Sequence, residues 1–301
     1  MKKALLIILA GVMLLMSGCA LLTEYSPDVE SYDAQSVASD GQADNYWPAV
    51  QMVQPFVISR DVGSSGKLIG NSVLVTIFIH DTESGFNDYE REERLGWLSE
   101  ATQWLEAQAK NAGHIANFIY GAEHLVIDHE MNRPFSTERA ISGVTMEAYE
   151  QLEALDGPYL YEYLKERHDA KNVGFIFFIN KDARSYSHIA TRYSTGIFYF
   201  ESCVIFAAQN GNPVDASVVA HEILHLFGAL DLYFALLPDD ERNELAKLYF
   251  PNDIMISARR ELDSFAIGDL TAYLIGWRDS IDIRLVYFLL GYRDHASEVR
   301  G

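Results

Sequence analysis

The residues of this chain most able to do chemistry are His221, Glu222 and His225, which form a His-Glu-x-x-His pattern. On a helix, side chains four residues apart lie one turn above each other, so both imidazoles project from one face and can share a metal ion. Neutral imidazole is a good ligand for Zn²⁺. Glu222 projects along a neighbouring line, within reach of a water on that metal rather than of the metal itself. The pattern predicts one zinc ion with Glu222 as general base.

A glycine and an aspartate follow the second histidine at regular spacing, Gly228 three residues after His225 and Asp231 three residues later. Glycine readily adopts the left-handed conformation that ends a helix and reverses the chain. Such a reversal places Asp231 to return to the metal as a third ligand, beside His221 and His225. The alternative is that Gly228 is only a helix cap and Asp231 only a loop carboxylate, since both residue types are common at helix ends.

The extended pattern, His-Glu-x-x-His-x-x-Gly-x-x-Asp, resembles that of the metzincin clan of zinc metallopeptidases. It is most similar to snapalysin-like members, in which aspartate replaces the usual third histidine. The resemblance implies an endopeptidase domain in which His221, His225 and Asp231 hold zinc and Glu222 is the base. It also implies a methionine-containing turn beneath the metal, for which Met255 is the candidate, although a methionine flanked by isoleucines is also common core packing.

Two departures from the clan pattern stand beside this resemblance: Asp231 occupies the usual histidine position, and Ile256 and Ser257 follow Met255 where the clan often has tyrosine. An extra tyrosine ligand from that turn is therefore not expected. Tyr233 lies close to the motif in sequence and is a candidate either for binding an oxyanion or for packing.

Two other interpretations remain open. A gluzincin-type peptidase would take its third ligand from a second helix, where Glu244 is available, but this leaves the spacing of Gly228 and Asp231 to coincidence. A noncatalytic envelope binding protein could be stapled by zinc, but a purely structural site needs no base at Glu222.

Apolar runs predict the elements that must position the motif. Two β-branched runs, residues 72–79 and 173–179, are typical of strands buried on both faces. Shorter strands are predicted at 115–120 and 125–128, and a hairpin from 196–200 and 204–207 that turns near Glu201 and Ser202. Helices are predicted at 89–110, 146–168 and 214–227, the last carrying the motif. This order favours an α/β (α+β) domain with a mixed twisted sheet and an active-site helix.

Further expectations concern the substrate and the C-terminal part. A protein or peptide substrate is expected to lie extended along an edge strand within residues 196–200, because backbone pairing gives affinity without demanding a sequence.

Residues from about 232 to 301 are expected to form a helical subdomain. In it, Ile267, Leu270, Leu274 and Trp277 repeat at helical spacing and predict a helix beneath the metal site. The apolar run 281–290 is about half a membrane span and predicts core.

The N-terminus has the pattern of an export signal: Lys2 and Lys3, then an apolar run over residues 4–15, then a small-residue site ending in Cys19. It resembles a bacterial lipobox, which implies cleavage of residues 1–18, lipidation of Cys19, and an extracytoplasmic place in the bacterial cell envelope. Ala20 after the cysteine favours the outer membrane if the host is Gram-negative. A cleaved secretory signal is the alternative. Residues 19–55 are expected to be a tether, or else a propeptide, before a catalytic domain at 56–301.

The net charge and the cysteine content bear on the partners and on the disulfide bonds that this chain could have. The chain has 301 residues and a formal net charge of -20, which argues against a nucleic-acid partner. With Cys19 lipidated, Cys203 has no partner for a disulfide. Its apolar neighbours predict a buried, inert core thiol.

Overall fold

The computed structural model of the chain describes residues 52–53, 63–135, 157–189, 200–233, 241–258, 261–286 and 288. Within them lie the strands β1 (Met52–Val53), β2 (Gly70–His80), β3 (Ala116–Ile119), β4 (Val126–Glu130), β5 (Asn172–Asp182), β6 (Tyr186–His188), β7 (Glu201–Gln209), β8 (Asn212–Pro213) and β9 (Ile281–Asp282). The α-helices are α1 (Asp88–Asn111), α2 (Gly157–His168), α3 (Ala216–Leu226), α4 (Glu241–Tyr249) and α5 (Asp269–Leu274). Short 3₁₀ turns lie at Glu123–Leu125, Leu262–Ser264 and Ile283–Leu285.

Seven of these strands form one mixed sheet, in the order β3-β2-β5-β7-β6, with β4 also paired to β2 and β8 to β7. Strands β3, β4 and β5 run parallel to β2, and β7 runs parallel to β5. Strands β6 and β8 run antiparallel to β7. Strands β1 and β9 form a separate antiparallel pair. The predicted α+β class with a mixed sheet is confirmed.

The two faces of the sheet carry two apolar clusters, because successive side chains of a strand point to opposite faces. Helices α1 and α3 pack on one face, and α2 packs on the other. The first face includes Leu74, Phe78, Ile176, Phe178, Leu98, Leu105, Val219 and Ile223. The second includes Val75, Phe175, Phe177, Leu160 and Leu164. Strands covered on both faces explain the uninterrupted apolar runs of β2 and β5.

Most of the predicted elements are confirmed within a few residues. Strands β2, β3, β4 and β5 and helices α1 and α3 occupy the segments predicted for them. Helix α2 covers the second half of the helix predicted at 146–168, and residues 146–156 lie outside the described part. The predicted signal segment with Cys19 also lies outside it, as does nearly all of the predicted tether.

The predicted turn at Glu201 and Ser202 is wrong. Both residues begin strand β7, in register with Gly174 and Phe175 of β5. Polar side chains indicate a turn when their hydrogen bonds have to come from water. They can lie in a buried strand when the protein supplies those hydrogen bonds. Here the buried carboxylate of Glu201 accepts hydrogen bonds from the hydroxyl and backbone N–H of Ser64 and from the backbone N–H of Ser65. The first arm of the predicted hairpin, apart from Phe200, lies outside the described residues.

The predicted helix from Ile267 to Trp277 is also too long. Helix α5 covers only Asp269–Leu274, and Gly276 then adopts a φ of 86°, which ends it. The indole Nε1 of Trp277 instead donates to the backbone oxygen of Leu68 at 2.7 Å, which ties the C-terminal part to the start of β2. Among the described helices, none is long and apolar enough to cross a membrane.

Candidate metal centre

Helix α3 carries the motif in the middle of the protein rather than on its surface. The side chain of Asp215 caps its N-terminus by accepting from the backbone N–H of Ser217 at 2.9 Å. Every residue of the helix except His225 is buried, because one side packs on the sheet and the rest is covered by α1 and the C-terminal elements. The helix is therefore a rigid platform for His221 and Glu222, both only 5% exposed.

The chain reverses immediately after α3, at Gly228. Its φ of 92° lies in the left-handed region, which a side chain would strain. The reversal directs the carbonyl of Ala229 back towards the helix, where it accepts from Nδ1 of His225 at 2.8 Å. It also brings the carboxylate of Asp231 next to the Nε2 atoms of both imidazoles. Gly228 thus adopts the conformation that the sequence predicted for it.

A second turn supports the other histidine. Nδ1 of His221 donates to the carbonyl of Ile254 at 3.0 Å, and the adjacent Met255 is fully buried. The carbonyl of Met255 accepts from the backbone N–H of Leu232 at 3.0 Å, which joins this turn to the loop carrying Asp231. The candidate methionine therefore lies directly beside the motif, in the same apolar cluster as α3.

Three potential ligand atoms converge at this point. Oδ1 of Asp231 lies 3.1 Å from Nε2 of His221 and 3.3 Å from Nε2 of His225. A carbonyl can only accept a hydrogen bond, so each ring carries its proton on Nδ1 and leaves a lone pair on Nε2. When both rings are neutral, no donor points at Oδ1, which is then a buried oxygen without a hydrogen-bond partner. Lone pairs at this separation repel each other unless a proton or a metal ion lies between them.

The set fits a zinc ion. All three atoms lie within 4.8 Å of one another. Tetrahedral bonds of about 2.0–2.2 Å to nitrogen and oxygen place neighbouring ligand atoms about 3.3–3.5 Å apart, close to the two separations involving Asp231. Two imidazoles and one carboxylate are also a donor set that leaves the fourth position of a zinc site open. His221, His225 and Asp231 are therefore the residues that would hold the ion.

The electrostatics of the cluster favour a positive charge. Burial by itself lowers the pKa of His225, but the carboxylates of Asp231 and Glu222 outweigh burial and raise that pKa to about 9. Burial likewise raises the pKa of Asp231, but its contacts with His221 and His225 hold the pKa well below its usual range. The two carboxylates thus favour a cation at this point, either a proton or a metal ion.

Glu222 belongs to the same site. Its charge contributes to the raised pKa values of both His225 and Tyr233. Its Oε2 accepts a hydrogen bond of 2.8 Å from the hydroxyl of Ser187 on β6, so this carboxylate oxygen is held in place. A buried carboxylate next to three potential ligands is suitably placed to accept a proton from a water bound among them.

Tyr233 and Arg184 form the exposed side of the cluster. The Arg184 guanidinium donates to the Tyr233 hydroxyl at 2.8 Å and lies 3.7 Å from Oδ2 of Asp231. Burial, and then the charge of Asp231, raises the pKa of Tyr233 to about 12, so its hydroxyl remains protonated at neutral pH. Tyr233 therefore lies beside the candidate metal centre and is able to donate a hydrogen bond.

Glu244 lies elsewhere. Its side chain is 76% exposed on α4, where it pairs with Lys247 at 2.7 Å. Among the described residues, the group of side chains that converge as ligands contains Asp231 and not Glu244.

Several site residues carry no signal in the sequence. Ser187, Arg184 and Asp253 reach the cluster only through the fold, from segments well separated from the motif. Strand β6 itself was missed, because three residues of the type Tyr-Ser-His show neither an apolar run nor alternation. Pairing with β7, and not its own composition, makes this segment a strand.

Comparison of the chain with protein-family models gives no match, and comparison with curated proteins gives none. Among solved structures, the chain is similar to the crystal structure of metalloproteinase-II from Bacteroides fragilis, with 12% sequence identity and a TM-score of 0.36. The match covers 71% of this chain and 54% of that one, so the chain spans about half the length of that structure.

Proposed function

We propose that this chain is a zinc-dependent endopeptidase anchored in the cell envelope, of the metzincin type that its motif resembles. One observation carries the proposal: Nε2 of His221 and Nε2 of His225 converge on Oδ1 of Asp231 at 3.1 and 3.3 Å, a set of three atoms that could hold one metal ion. Glu222 stands beside this set, with its Oε2 held by the hydroxyl of Ser187. A site that only stapled the fold would need the ligands but not an adjacent base.

The chemistry divides between the ion and the protein. A zinc ion at this site would lower the pKa of water and polarise the scissile carbonyl. Glu222 accepts the proton of the attacking water on Oε1 and then donates it to the leaving amine, so the carboxylate is regenerated at the end of the cycle. Tyr233, protonated at neutral pH, is placed to donate a hydrogen bond to the oxygen that becomes negative.

The substrate is proposed to bind as an extended chain along β6. Among the described strands, β6 is paired only with β7, and an extended peptide could add to its other side as a further strand. Ser187 of this strand contacts Glu222, so a peptide paired with β6 would lie close to the proposed base. The earlier prediction put the substrate along residues 196–200. Of these only Phe200 is described, and the described antiparallel edge strand lies at Tyr186–His188 instead.

Anchoring at Cys19 completes the proposal. It rests on the lysines, apolar run and lipobox-like site of residues 1–19. The enzyme would then act on proteins or peptides outside the cytoplasm, on the outer membrane if the host is Gram-negative. The net charge of -20 remains an argument against nucleic acid as substrate.

The decisive experiment compares wild type with Glu222→Gln and, as a matched control, Glu244→Gln. Each protein is loaded with zinc, its zinc content is measured, and it is incubated with a broad peptide library. Wild type and the control should bind one zinc per chain and cleave at the same rate. Glu222→Gln should keep its zinc and lose activity about 10²- to 10⁴-fold, the usual contribution of a positioned acid-base group.

Other outcomes would contradict the proposal in different ways. A wild type that binds zinc but cleaves no peptide would favour a noncatalytic, zinc-stapled binding protein. Full activity in Glu222→Gln would remove Glu222 from the mechanism. A wild type that takes up no zinc would remove the metal centre itself.

A further inference from the structure

We propose that Ser187 is a positioning residue for the base: its hydroxyl holds the Glu222 carboxylate in its working orientation and ties it to the strand along which substrate would bind. This inference rests on the proposed function. It concerns a contact between β6 and α3 that bridges 35 residues of sequence, and no motif predicts it.

Two short contacts carry the inference. The Oγ atom of Ser187 lies 2.8 Å from Oε2 of Glu222 and 3.0 Å from the backbone oxygen of the same residue. The thiol of Cys203, on the neighbouring strand β7, lies 3.1 Å from that backbone oxygen and 3.4 Å from Oγ of Ser187. Two donors from the sheet thus meet the acceptors of one helical residue.

Counting protons decides which bond each donor makes. Ser187 has one hydroxyl proton and Cys203 has one thiol proton. A hydrogen bond to an ionised carboxylate is roughly twice as strong as one between neutral groups, so the hydroxyl donates to Oε2. The thiol then donates to the backbone oxygen of Glu222. Each of the two donors, the Ser187 hydroxyl and the Cys203 thiol, thus makes one hydrogen bond to Glu222.

This arrangement has two consequences for catalysis. A free glutamate side chain samples several rotamers, whereas Glu222 with Oε2 fixed presents Oε1 in one direction. The backbone oxygen of Glu222, 3.0 Å away, also offers the Ser187 hydroxyl a second acceptor. The hydroxyl therefore has an acceptor on Glu222 even when it is not bonded to Oε2.

Ser185 shows what a purely structural serine looks like in the same segment. It is buried, and its hydroxyl accepts from the backbone N–H of Phe206 at 3.2 Å. This bond stabilises the pairing of the segment with β7. The two serines lie two residues apart, which makes Ser185 a matched control for Ser187.

The test uses the full chain loaded with zinc and compares Ser187→Ala, Ser187→Thr and Ser185→Ala with wild type. Ser187→Ala should keep its zinc content and KM while kcat falls about 10- to 100-fold, the range expected for losing a hydrogen bond to a charged group. Ser187→Thr keeps the hydroxyl and should restore most of kcat. Ser185→Ala should lower the unfolding midpoint without selectively lowering kcat.

A double-mutant cycle with Glu222→Gln tests whether Ser187 affects the rate of cleavage through Glu222. If Ser187 acts through Glu222, Ser187→Ala in the Glu222→Gln background should change the residual rate by less than about twofold. A full additional loss would show that Ser187 contacts substrate or stabilises the fold, and would overturn the inference. So would an unchanged kcat in Ser187→Ala while wild type cleaves peptides.

A structural measurement keeps the inference testable whatever the activity. Crystal structures of zinc-loaded wild type and Ser187→Ala should show the Glu222 carboxylate in one rotamer in the first and in more than one in the second. His221, His225 and Asp231 should be unchanged. If wild type cleaves nothing, the proposed function fails and these structures alone decide on Ser187. A Glu222 carboxylate that stays in place without the hydroxyl would overturn the inference.

Discussion

Nδ1 of His221 lies 3.0 Å from the carbonyl oxygen of Ile254, 33 residues further along the chain. The contact fixes the ring proton on Nδ1 and leaves Nε2 with its lone pair towards Asp231. The turn that supplies this carbonyl is held by Asp253, whose buried carboxylate accepts three hydrogen bonds from its own turn and from the start of α5. The orientation of one proposed ligand therefore depends on the side chain of Asp253, which acts through the turn that supplies the carbonyl.

Asp253→Asn should weaken zinc binding about 10- to 100-fold, the usual cost of disturbing a group that orients a metal ligand. The amide would turn a donor towards the donors that Asp253 now accepts from, and the turn would have to shift. Competition with a chelating dye measures the change. Thr271→Val removes only one of the three donors and should have a smaller effect. Equal zinc affinity in Asp253→Asn and wild type would show that the turn does not orient His221.

Asp231→Ala should strip the zinc, because a site with two protein ligands rarely keeps its ion. Glu244→Ala should bind zinc as wild type does, since Glu244 is exposed and paired with Lys247. Asp231→His is the sharper variant: it creates a three-histidine set and should retain metal if the reversal at Gly228 places that position correctly. Zinc content after dialysis distinguishes the three. The opposite pattern, with Glu244 essential and Asp231 dispensable, would indicate a gluzincin-type site.

Asp81→Asn should destabilise the fold at neutral pH by roughly 2–4 kcal/mol, because it breaks a buried ion pair with Lys181. Burial alone would raise the pKa of Asp81, but Lys181 and the backbone N–H groups of Phe135, Glu83 and Ser84 hold the pKa well below its usual range. A lowered folded-state pKa gives stability that is present above the unfolded pKa of about 4 and is lost as pH falls through the lower folded value.

The difference between wild type and Asp81→Asn should therefore be constant from pH 7 to about 5 and shrink below about 4. Urea denaturation at each pH measures it. Glu83→Gln is the control, because its carboxylate also pairs with Lys181 but is 63% exposed, and a surface pair contributes only about 0–1 kcal/mol. A difference that did not change with pH would show that the Asp81 charge is unimportant.

Cys19→Ser should abolish membrane association in a bacterial host that processes lipoproteins. The apolar run of residues 4–15 is too short for an ordinary membrane span, so the lipid would supply the attachment. Membrane fractionation and metabolic labelling with a fatty acid measure the difference. Equal partitioning of wild type and variant into the soluble fraction would favour a cleaved secretory signal instead.

The sequence was most informative where its signal was local. Two histidines four residues apart need only a helix to face each other, and a glycine followed by an aspartate needs only one chain reversal to bring a carboxylate beside both imidazoles. Strands β2 and β5 were recognisable because burial on both faces leaves a continuous apolar run. In each case the physical cause lies within about ten residues.

Features that depend on distant contacts were missed or misjudged. Glu201 looked like a turn residue, because nothing in its neighbourhood indicates that Ser64 and Ser65 satisfy its carboxylate inside the protein. Strand β6 is defined by its pairing with β7, and Ser187 meets Glu222 only once that pairing forms. Hydrogen-bond partners chosen across the fold leave no periodicity in the chain.

The reactivity of the Cys203 thiol would report how often β7 and α3 separate. The thiol is fully buried between β7 and α3, and burial, followed by the charge of Glu222, raises its pKa well above the usual value. Thiol reagents attack the thiolate, so alkylation must wait until strand and helix separate. The sequence has two cysteines, and a protein that begins after residue 19 has only this one. The rate at which Cys203 is labelled in native buffer would then measure how often the contact between β7 and α3 opens next to the proposed base.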